Sequence, residues 1–155
     1  MPATSAGLCL WRRVDGDVEI FIVHPGGPYW AKKDDGAWSL PKGEYDPTTE
    51  QGPDAARREF HEETGMQAPN NDLVSLGETK LKSAKTVQAW AIEGDLDADA
   101  IVSNTFEIEW PPRSGRSQSF PEVDRAMWCT PATAQQKLNP AQAVFVERLA
   151  ALVND

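Results

Sequence analysis

The sequence predicts an α/β fold, an α/β/α sandwich in which helices cover a mixed β-sheet. Apolar, β-branched runs recur along the chain and alternate with segments of helical periodicity, an order typical of sheets flanked by helices. The chain has 155 residues, of which 40% are hydrophobic and 25% charged, as in a globular protein with one substantial core. We therefore expect a single domain over residues 1–155.

The N-terminal part of the sequence predicts a β-hairpin followed by a long loop. Ser5 to Val14 and Val18 to His24 are apolar and β-branched, and Asp15-Gly16-Asp17 between them has the composition of a turn. Prolines and glycines from Pro25 onward predict a loop to about Gly36. Ala37 to Leu40 is expected to form a short strand after this loop.

A helix is predicted in the middle of the chain. Gly52-Pro53-Asp54 begins it, because proline is favourable in a first helical turn, and the pattern continues to about Thr64. Ala56 and Phe60 lie one turn apart and are expected to face the core. Gly65 then ends the helix.

The remaining sequence predicts more strands and two C-terminal helices. Leu73 to Leu81 and Thr86 to Glu93 are expected to form a second hairpin. The other predicted elements are strands at Thr105 to Trp110 and Ala126 to Cys129, a polar loop from Pro111 to Phe120, a helix beginning at Pro131, and an amphipathic helix from Ala141 to Leu152.

Charge narrows the possible classes of function. The formal net charge is −9, whereas a protein that binds long nucleic acid usually presents a basic surface. Small nucleotides held through metal ions remain compatible with this charge, since the cation supplies positive charge locally. We therefore expect no long nucleic acid as a partner.

Two further features concern the cellular compartment. Cys9 and Cys129 lie in apolar runs and are expected to be reduced core residues, with a disulfide or metal pair as the alternative. The sequence contains no run of 18 apolar residues, so no membrane span is expected, and Met1 to Leu10 lacks the pattern of a signal peptide. We therefore expect a cytoplasmic protein.

The segment from Arg58 to Met66 carries three carboxylates on one face of the predicted helix. Glu59, Glu62 and Glu63 are spaced i, i+3 and i+4, and they repel one another unless a positive charge lies between them. A hard divalent cation is suited to this role, because Mg²⁺ and its relatives prefer oxygen ligands. The alternative is a solvated acidic face, which is common in so acidic a chain.

The sequence around these carboxylates resembles the Nudix box, G-x5-E-x7-R-E-U-x-E-E-x-G-U, where U is a bulky apolar residue. Gly43 matches the glycine and Glu50 the first glutamate; Arg58-Glu59-Phe60, Glu62-Glu63 and Gly65-Met66 complete the motif. Six residues rather than five separate Gly43 from Glu50, and we assign the extra residue to the loop from Glu44 to Thr49. The family's fold is the α/β/α sandwich predicted above.

This resemblance implies a pyrophosphohydrolase dependent on Mg²⁺ or Mn²⁺, which cleaves the diphosphate linkage of a nucleoside diphosphate joined to another moiety. Glu59, Glu62 and Glu63 would bind the metal ions, and Glu59 or Glu63 would share this role with that of general base. Glu50 and Arg58 would form a buried pair that orients the ligands.

Further metal ligands are expected outside the acidic triplet. The backbone carbonyl of Lys42 is one candidate, because Gly43 beside it allows close backbone approach. Glu122 is another, since it resembles the glutamate six residues before a tryptophan, here Trp128, in dinucleoside polyphosphate hydrolases. Glu107 and Glu109 compete with it, and the alternative for Glu122 is a solvated loop carboxylate.

Substrate contacts are expected from basic and aromatic side chains in the loops. The candidates are Lys32, Lys33, Lys42, Arg113 and Arg116 for phosphate groups, and Tyr29 and Trp30 for stacking on a base. The alternatives are solvated charges and packing of the loop onto the body. His24 and His61 are not predicted as ligands, and His61 is expected to face solvent.

The preferred hypothesis is a Nudix hydrolase acting on phosphorus-containing acid anhydrides. The chain also resembles bacterial Nudix proteins grouped with oxidative-damage and dinucleoside polyphosphate hydrolases. A dinucleoside polyphosphate, a modified nucleoside triphosphate and a nucleotide sugar are the candidate substrates, and the protein is expected to be a monomer or homodimer. The alternative is a non-catalytic nucleotide-sensing domain on the same fold, although such domains usually lose the acidic residues retained here.

Overall fold

A computed structural model describes residues 3–153. Its strands are β1 (Thr4–Val14), β2 (Asp17–Pro25), β3 (Lys42–Tyr45), β4 (Val74–Lys80), β5 (Thr86–Glu93), β6 (Thr105–Glu109), β7 (Ser117–Pro121) and β8 (Val123–Cys129). Its α-helices are α1 (Gly52–Thr64), α2 (Pro131–Lys137) and α3 (Ala143–Val153), and short 3-10 turns lie at Ala98–Ala100 and Pro140–Gln142.

A mixed sheet forms the middle layer and confirms the predicted fold class. Its strands neighbour one another in the order β4-β5-β1-β2-β8, and β3 pairs with β1 as a sixth strand. The β1 and β5 pair is parallel, whereas the other pairs are antiparallel. One apolar cluster packs α1 against one face of this sheet, and a second cluster packs α2 and α3 against the other.

The separation of β1 from β2 makes room for the segment that leads into the Gly43 motif. The two strands pair only near their turn, from Trp11 opposite Ile20 to Val14 opposite Asp17. Beyond that point the segment 38–43 lies between them, because Leu8 donates to the carbonyl of Pro41 at 3.1 Å and Val23 to that of Ser39 at 2.8 Å. This segment therefore runs along the N-terminal half of β1, beside α1.

The helix α1 has the bounds predicted from sequence, Gly52–Thr64. Ala56 and Phe60 are fully buried as predicted, and the Phe60 ring lies 6.2 Å from that of Phe21 on β2. Gly65 ends the helix with a φ of 75°, a left-handed conformation that favours glycine, and its N–H donates to the carbonyl of His61. This packing directs the opposite, acidic face of α1 toward β3 and the β1–β2 separation.

Two sequence predictions about local structure are wrong. Ala37 to Leu40 is not a strand, because Trp38 and Ser39 form single bridges with different partners, Leu138 and Val23. The predicted loop from Pro111 to Phe120 contains most of β7, which pairs with β6 as a separate two-stranded sheet. Its Ser-Gln-Ser sequence lacks β-branched residues, so the strand depends on its partner rather than on local propensity.

Two other expectations concern cysteines and membranes. Cys9 and Cys129 are both buried and free of a disulfide, which confirms the prediction of core residues. Between residues 3 and 153, none of the helices has the length and apolar character needed to cross a bilayer.

Candidate active site

The acidic face of α1 brings the predicted glutamates to the edge of β3. Glu59 is nearly buried, with 8% of its surface exposed, whereas Glu62 and Glu63 are half-buried. The backbone of this helical turn is held on its other side, since Asn104 donates to the carbonyl of Glu62 at 2.8 Å. Burial raises the pKa of Glu59, so the crowded carboxylates are disfavoured as free anions.

Gly43 has no side chain because the carboxylate of Glu59 occupies that space. A methyl group added at Gly43 would overlap all three terminal atoms of the Glu59 side chain. The glycine of the motif is therefore required by the close approach of α1 to β3, a contact with Glu59 that the sequence did not predict.

Arg58 joins three of the carboxylates. Its Nε and Nη2 donate to the two oxygens of Glu50, each at 2.9 Å. Its Nη1 donates to Glu59 at 2.8 Å and to Glu62 at 3.2 Å. The forked bond lowers the pKa of the Glu50 carboxyl and contributes most to raising the pKa of Arg58.

The predicted Glu50–Arg58 pair is present, but the expectation that it is buried is wrong. The Arg58 and Glu50 side chains are 39% and 26% exposed, because the loop before α1 lies at the surface. The extra residue of the motif is absorbed there by a compact turn, in which the N–H groups of Thr49 and Glu50 both donate to the carbonyl of Asp46. Glu50 consequently reaches Arg58 despite the insertion.

Glu63 lies against the backbone of β3. Its Oε1 accepts the N–H of Lys42 at 3.1 Å. Burial is the main cause that raises the pKa of Glu63 to about 8, and the charges of Glu122 and Glu59 add to this shift while Lys42 opposes it. Burial also lowers the pKa of the Lys42 ammonium. A carboxyl and an amine with perturbed pKa values thus share one small region, a feature often found at functional sites.

A cleft of about 120 Å³ opens beside Glu63 and contains the downstream glutamate favoured by the sequence. It is lined by Lys42, Glu63 and Glu122, together with residues of β2 and β8. Both backbone polar groups of Glu122 are hydrogen-bonded. Its N–H donates to the carbonyl of Asn104 at 2.8 Å, and its carbonyl accepts from the N–H of Gly26 at 2.9 Å. Burial, followed by the charge of Glu62, raises the pKa of Glu122.

The competing glutamates lie elsewhere. Glu107 and Glu109 are exposed on β6 and do not line the cleft, and Glu109 accepts the N–H of Arg113 at 2.8 Å. Among the three glutamates considered as a downstream metal ligand, Glu122 is therefore the one that lies in the same cleft as Glu63 of α1.

The loop between β2 and β3 carries the predicted aromatic and lysine residues at the surface. Tyr29 and Trp30 are 55% and 40% exposed. The Tyr29 ring packs edge-on against Trp110 with centroids 5.3 Å apart, and Lys33 Nζ lies 4.9 Å from the Trp30 ring centroid. Lys32 is exposed in the same loop.

Trp110 was predicted as the last residue of a strand and not as a site residue. It directly follows β6, where the turn of the β6–β7 hairpin with its exposed Arg113 and Arg116 begins. The tryptophan directly before Pro111-Pro112 at a hairpin tip was the available signal, but its contact with Tyr29 spans 81 positions of sequence. Only the folded chain brings these two rings together.

Comparison with known proteins decides the family. A family model described as the NUDIX domain matches residues 1–149. The chain belongs to the Nudix family. It is thus a hydrolase acting on pyrophosphate bonds, as the sequence predicted.

Solved structures of this Nudix fold cover nearly the whole chain. The Ap4A hydrolase of C. elegans is 19% identical, with a TM-score of 0.66 and 99% of each chain covered. The MutT protein from Methanosarcina mazei Go1 is 19% identical, with a TM-score of 0.62 and coverage of 99% and 97%. The NUDIX domain of Shewanella oneidensis NrtR, complexed with ADP ribose, is 14% identical, with a TM-score of 0.66 and coverage of 99% and 89%. Identities this low establish the fold and leave the substrate open.

The donor set of this Nudix domain fits a hard divalent cation. Its side chains offer carboxylate oxygens, the ligands that Mg²⁺ and Mn²⁺ prefer. In the described part of the chain, no three Asp, Glu, His or Cys side chains already stand in a metal-binding arrangement. Arg58 instead supplies the positive charge to Glu59 and Glu62, so a cation would take over these oxygens from its Nη1.

Gly43→Ala is expected to lower kcat of the Nudix hydrolase by about 100-fold, because the added methyl would displace the Glu59 carboxylate by about 1 Å or more. Steady-state kinetics would measure this loss. Gly16→Ala is a remote control for backbone strain: its φ of 87° disfavours alanine, but a methyl there meets no atom within 4 Å, so kcat should stay at the wild-type value. Wild-type kcat in a folded Gly43→Ala variant would contradict this interpretation of the glycine.

Glu63→Gln is expected to stabilise the metal-free protein at high pH only. A carboxyl with a higher pKa in the folded protein destabilises it as pH rises from its unfolded pKa, 4.5, to about 8. With chelator present, the variant should melt at least about 2–4 °C above wild type at pH 8.5, because each 1 kcal/mol shifts Tm by about that much in a domain of this size and the pKa change corresponds to at most about 5 kcal/mol. The two proteins should melt together at pH 4.5.

Thermal melts across this pH range, with chelator throughout, would test the stability prediction. Glu147→Gln on the exposed side of α3 is the matched control. Equal pH dependence in wild type and Glu63→Gln would show that Glu63 has no raised pKa.

Proposed function

We propose that this Nudix hydrolase cleaves the diphosphate linkage of a nucleoside diphosphate joined to another moiety, with Mg²⁺ or Mn²⁺ as cofactor. The observation that carries the proposal is the convergence of α1 and the start of β8, which brings Glu63 and Glu122 into one cleft with Lys42. Four carboxylates lie in this region, those of Glu59, Glu62, Glu63 and Glu122, and the nearby basic side chains do not compensate all of their negative charge. Divalent cations would compensate the remainder, and a polyphosphate bound through these cations would complete the site.

Metal binding is assigned to the carboxylates of Glu59, Glu62, Glu63 and Glu122, and to the carbonyl of Lys42. The metal would neutralise phosphate charge and lower the pKa of a bound water. The carboxylate of Glu59 lies directly against Gly43 of β3, and its Oε1 accepts from Arg58 Nη1 at 2.8 Å. The pKa values of Glu59, Glu63 and Glu122 are raised mainly by burial and further by neighbouring glutamates, and a cation would compensate both effects, which supports this assignment.

Glu50 and Arg58 act by positioning. The forked bond to Glu50 holds the guanidinium in one orientation, so that Nη1 faces Glu59 and Glu62. Loss of such supporting partners typically lowers metal affinity or activity 10–100-fold.

The general base is assigned to Glu63 in preference to Glu59. Glu63 lines the cleft, where an attacking water would have to lose its proton, while Glu59 is held by Arg58. Glu59 then serves chiefly as a metal ligand. Both glutamates retain the roles that the motif implies, but the geometry favours this division between them.

Substrate binding is assigned to the surface around the cleft. Lys42 lies beside Glu63 and suits the phosphate nearest the reaction. Tyr29, Trp30, Lys32 and Lys33 form the β2–β3 loop surface, and Arg113 and Arg116 the hairpin tip. Exposed aromatic rings can stack on any base, and basic side chains are complementary to phosphate.

The length of the β6–β7 hairpin favours a long substrate. Five residues of extended strand separate its tip from Glu122 at its base, a distance of about 16 Å. Arg113 and Arg116 would therefore contact the distal part of a dinucleoside polyphosphate more readily than a single nucleoside triphosphate. We rank dinucleoside polyphosphates first, ahead of modified nucleoside triphosphates and nucleotide sugars.

The purified protein with Mg²⁺ or Mn²⁺ should hydrolyse members of a panel containing these three classes, with the highest kcat/KM for a dinucleoside polyphosphate. Glu59→Gln should lower kcat at least 100-fold and leave nucleotide binding largely intact, because it removes a metal ligand without changing the loops. Product release followed by chromatography measures turnover, and Glu147→Gln provides the control.

No product from any member, in protein that still binds Mn²⁺, would refute the proposed activity. Nucleotide binding without turnover would indicate a sensing domain instead. A preference for triphosphates over dinucleoside polyphosphates would refute the ranking but retain the activity.

A further inference from the structure

His24 is a fully buried polar residue at the end of β2 that the chemistry proposed above does not use. Its Nδ1 lies 2.9 Å from Oδ1 of Asp124, and its Nε2 lies 2.7 Å from the backbone oxygen of Lys33. The Trp38 ring closes one side of the imidazole edge-on, with centroids 5.1 Å apart. Each ring nitrogen therefore has one partner, and the ring is enclosed.

The hydrogen bonds of His24 define its role as a bridge. A carbonyl oxygen only accepts, so Nε2 must donate to Lys33. A second hydrogen lies between Nδ1 and the Asp124 carboxyl, supplied by one of the two groups. Breaking either bond would leave a buried ring nitrogen without a partner, which costs more than the bond itself contributes.

The bond to Lys33 fixes one end of the β2–β3 loop. Two turns precede this point, in which Trp30 donates to Gly27 at 3.3 Å and Lys33 donates to Trp30 at 2.9 Å. The bond from His24 thus holds the end of a short coil that presents Tyr29 and Trp30 to solvent.

The other end of the same loop is fixed to the same part of the chain. Gly26 donates to the carbonyl of Glu122 at 2.9 Å. A methyl group at Gly26 would overlap the carbonyl of Pro121, so the two backbones are in close contact. Both ends of residues 26–33 are therefore attached to the segment 121–124, one directly and one through His24 and Asp124.

We infer that His24 is a positioning residue that fixes residues 26–33 relative to Glu122 and thereby sets the affinity for substrate. This inference rests on the substrate-binding role proposed above for Tyr29, Trp30 and Lys32. His24 touches neither the reacting atoms nor the carboxylate cluster, so its loss should act on KM and leave kcat largely unchanged.

Two amide substitutions distinguish the bond from His24 to Lys33 from the bond between His24 and Asp124. His24→Asn keeps a polar atom near the position of Nδ1 and loses the bond to Lys33, whereas His24→Gln places an amide nitrogen near the position of Nε2 and can keep it. His24→Asn should raise KM about tenfold, the effect expected for one buried hydrogen bond. His24→Gln should raise it less than about threefold, and both should retain kcat within about threefold.

A matched control distinguishes positioning from a general loss of stability. Leu149→Ala creates a cavity under α3, on the opposite face of the sheet from α1. It should lower Tm at least as much as His24→Asn and leave KM unchanged. A KM increase in Leu149→Ala equal to that in His24→Asn would overturn the inference, as would equal KM values for the Asn and Gln variants.

Hydrogen exchange tests the anchor without any substrate. The Lys33 amide should exchange faster in His24→Asn than in wild type, and near the wild-type rate in His24→Gln. The chain has two histidines, so NMR should also show one protected ring N–H from His24, with exposed His61 as the rapidly exchanging reference.

These readouts keep the two proposals distinguishable. Absence of turnover in wild type would refute the proposed function, while exchange rates would still report on the anchor. Unchanged Lys33 exchange in His24→Asn would overturn the positioning role, even in a fully active enzyme.

Discussion

The close approach of like-charged carboxylates is the constraint on which the rest of this structure depends. Glu59, Glu62 and Glu63 share one helical face, and the fold brings Glu122, between β7 and β8, toward them. Such a cluster is unfavourable unless positive charge compensates it. Arg58 supplies part of that charge through bonds of 2.8 and 3.2 Å, and Glu50 keeps the guanidinium in place. A divalent cation would balance what remains and would link the carboxylates to an anionic polyphosphate substrate.

The sheet is arranged to produce this cluster. Because β1 and β2 separate beyond Trp11 and Ile20, the segment 38–43 can lie between them and carry Gly43 against α1. The same separation leaves the end of β2 free to lead into the β2–β3 loop. Segment 121–124 then joins the two halves of the site, since it contains Glu122 and fixes both ends of residues 26–33. The proposed metal site and the proposed substrate-binding loop are thus connected through a few backbone and side-chain bonds.

Local patterns predicted much of this arrangement, and the remainder depended on long-range contacts. The bounds of α1 and the burial of Phe60 followed from the residue pattern of one helix, and the Glu50–Arg58 pair followed from the resemblance to the Nudix box. The strand β7 escaped prediction because its residues have little intrinsic strand preference and pair only with β6. The hydrogen bonds of His24 were not predicted, because its partners Lys33 and Asp124 lie in a loop and 100 positions along the chain. The exposure of the Glu50–Arg58 pair likewise reflects the surface course of a loop, which a motif does not encode.

A crystal structure of the protein with Mn²⁺ and a non-hydrolysable dinucleoside polyphosphate would test the central claim most directly. The account predicts Mn²⁺ bound by oxygens of Glu59, Glu62 and Glu63 at about 2.0–2.3 Å. Arg58 should then have released Glu59 and Glu62 while keeping its forked bond to Glu50. The account would be contradicted if Mn²⁺ bound at another acidic site, such as Asp95 to Asp99, while Arg58 remained joined to Glu50, Glu59 and Glu62.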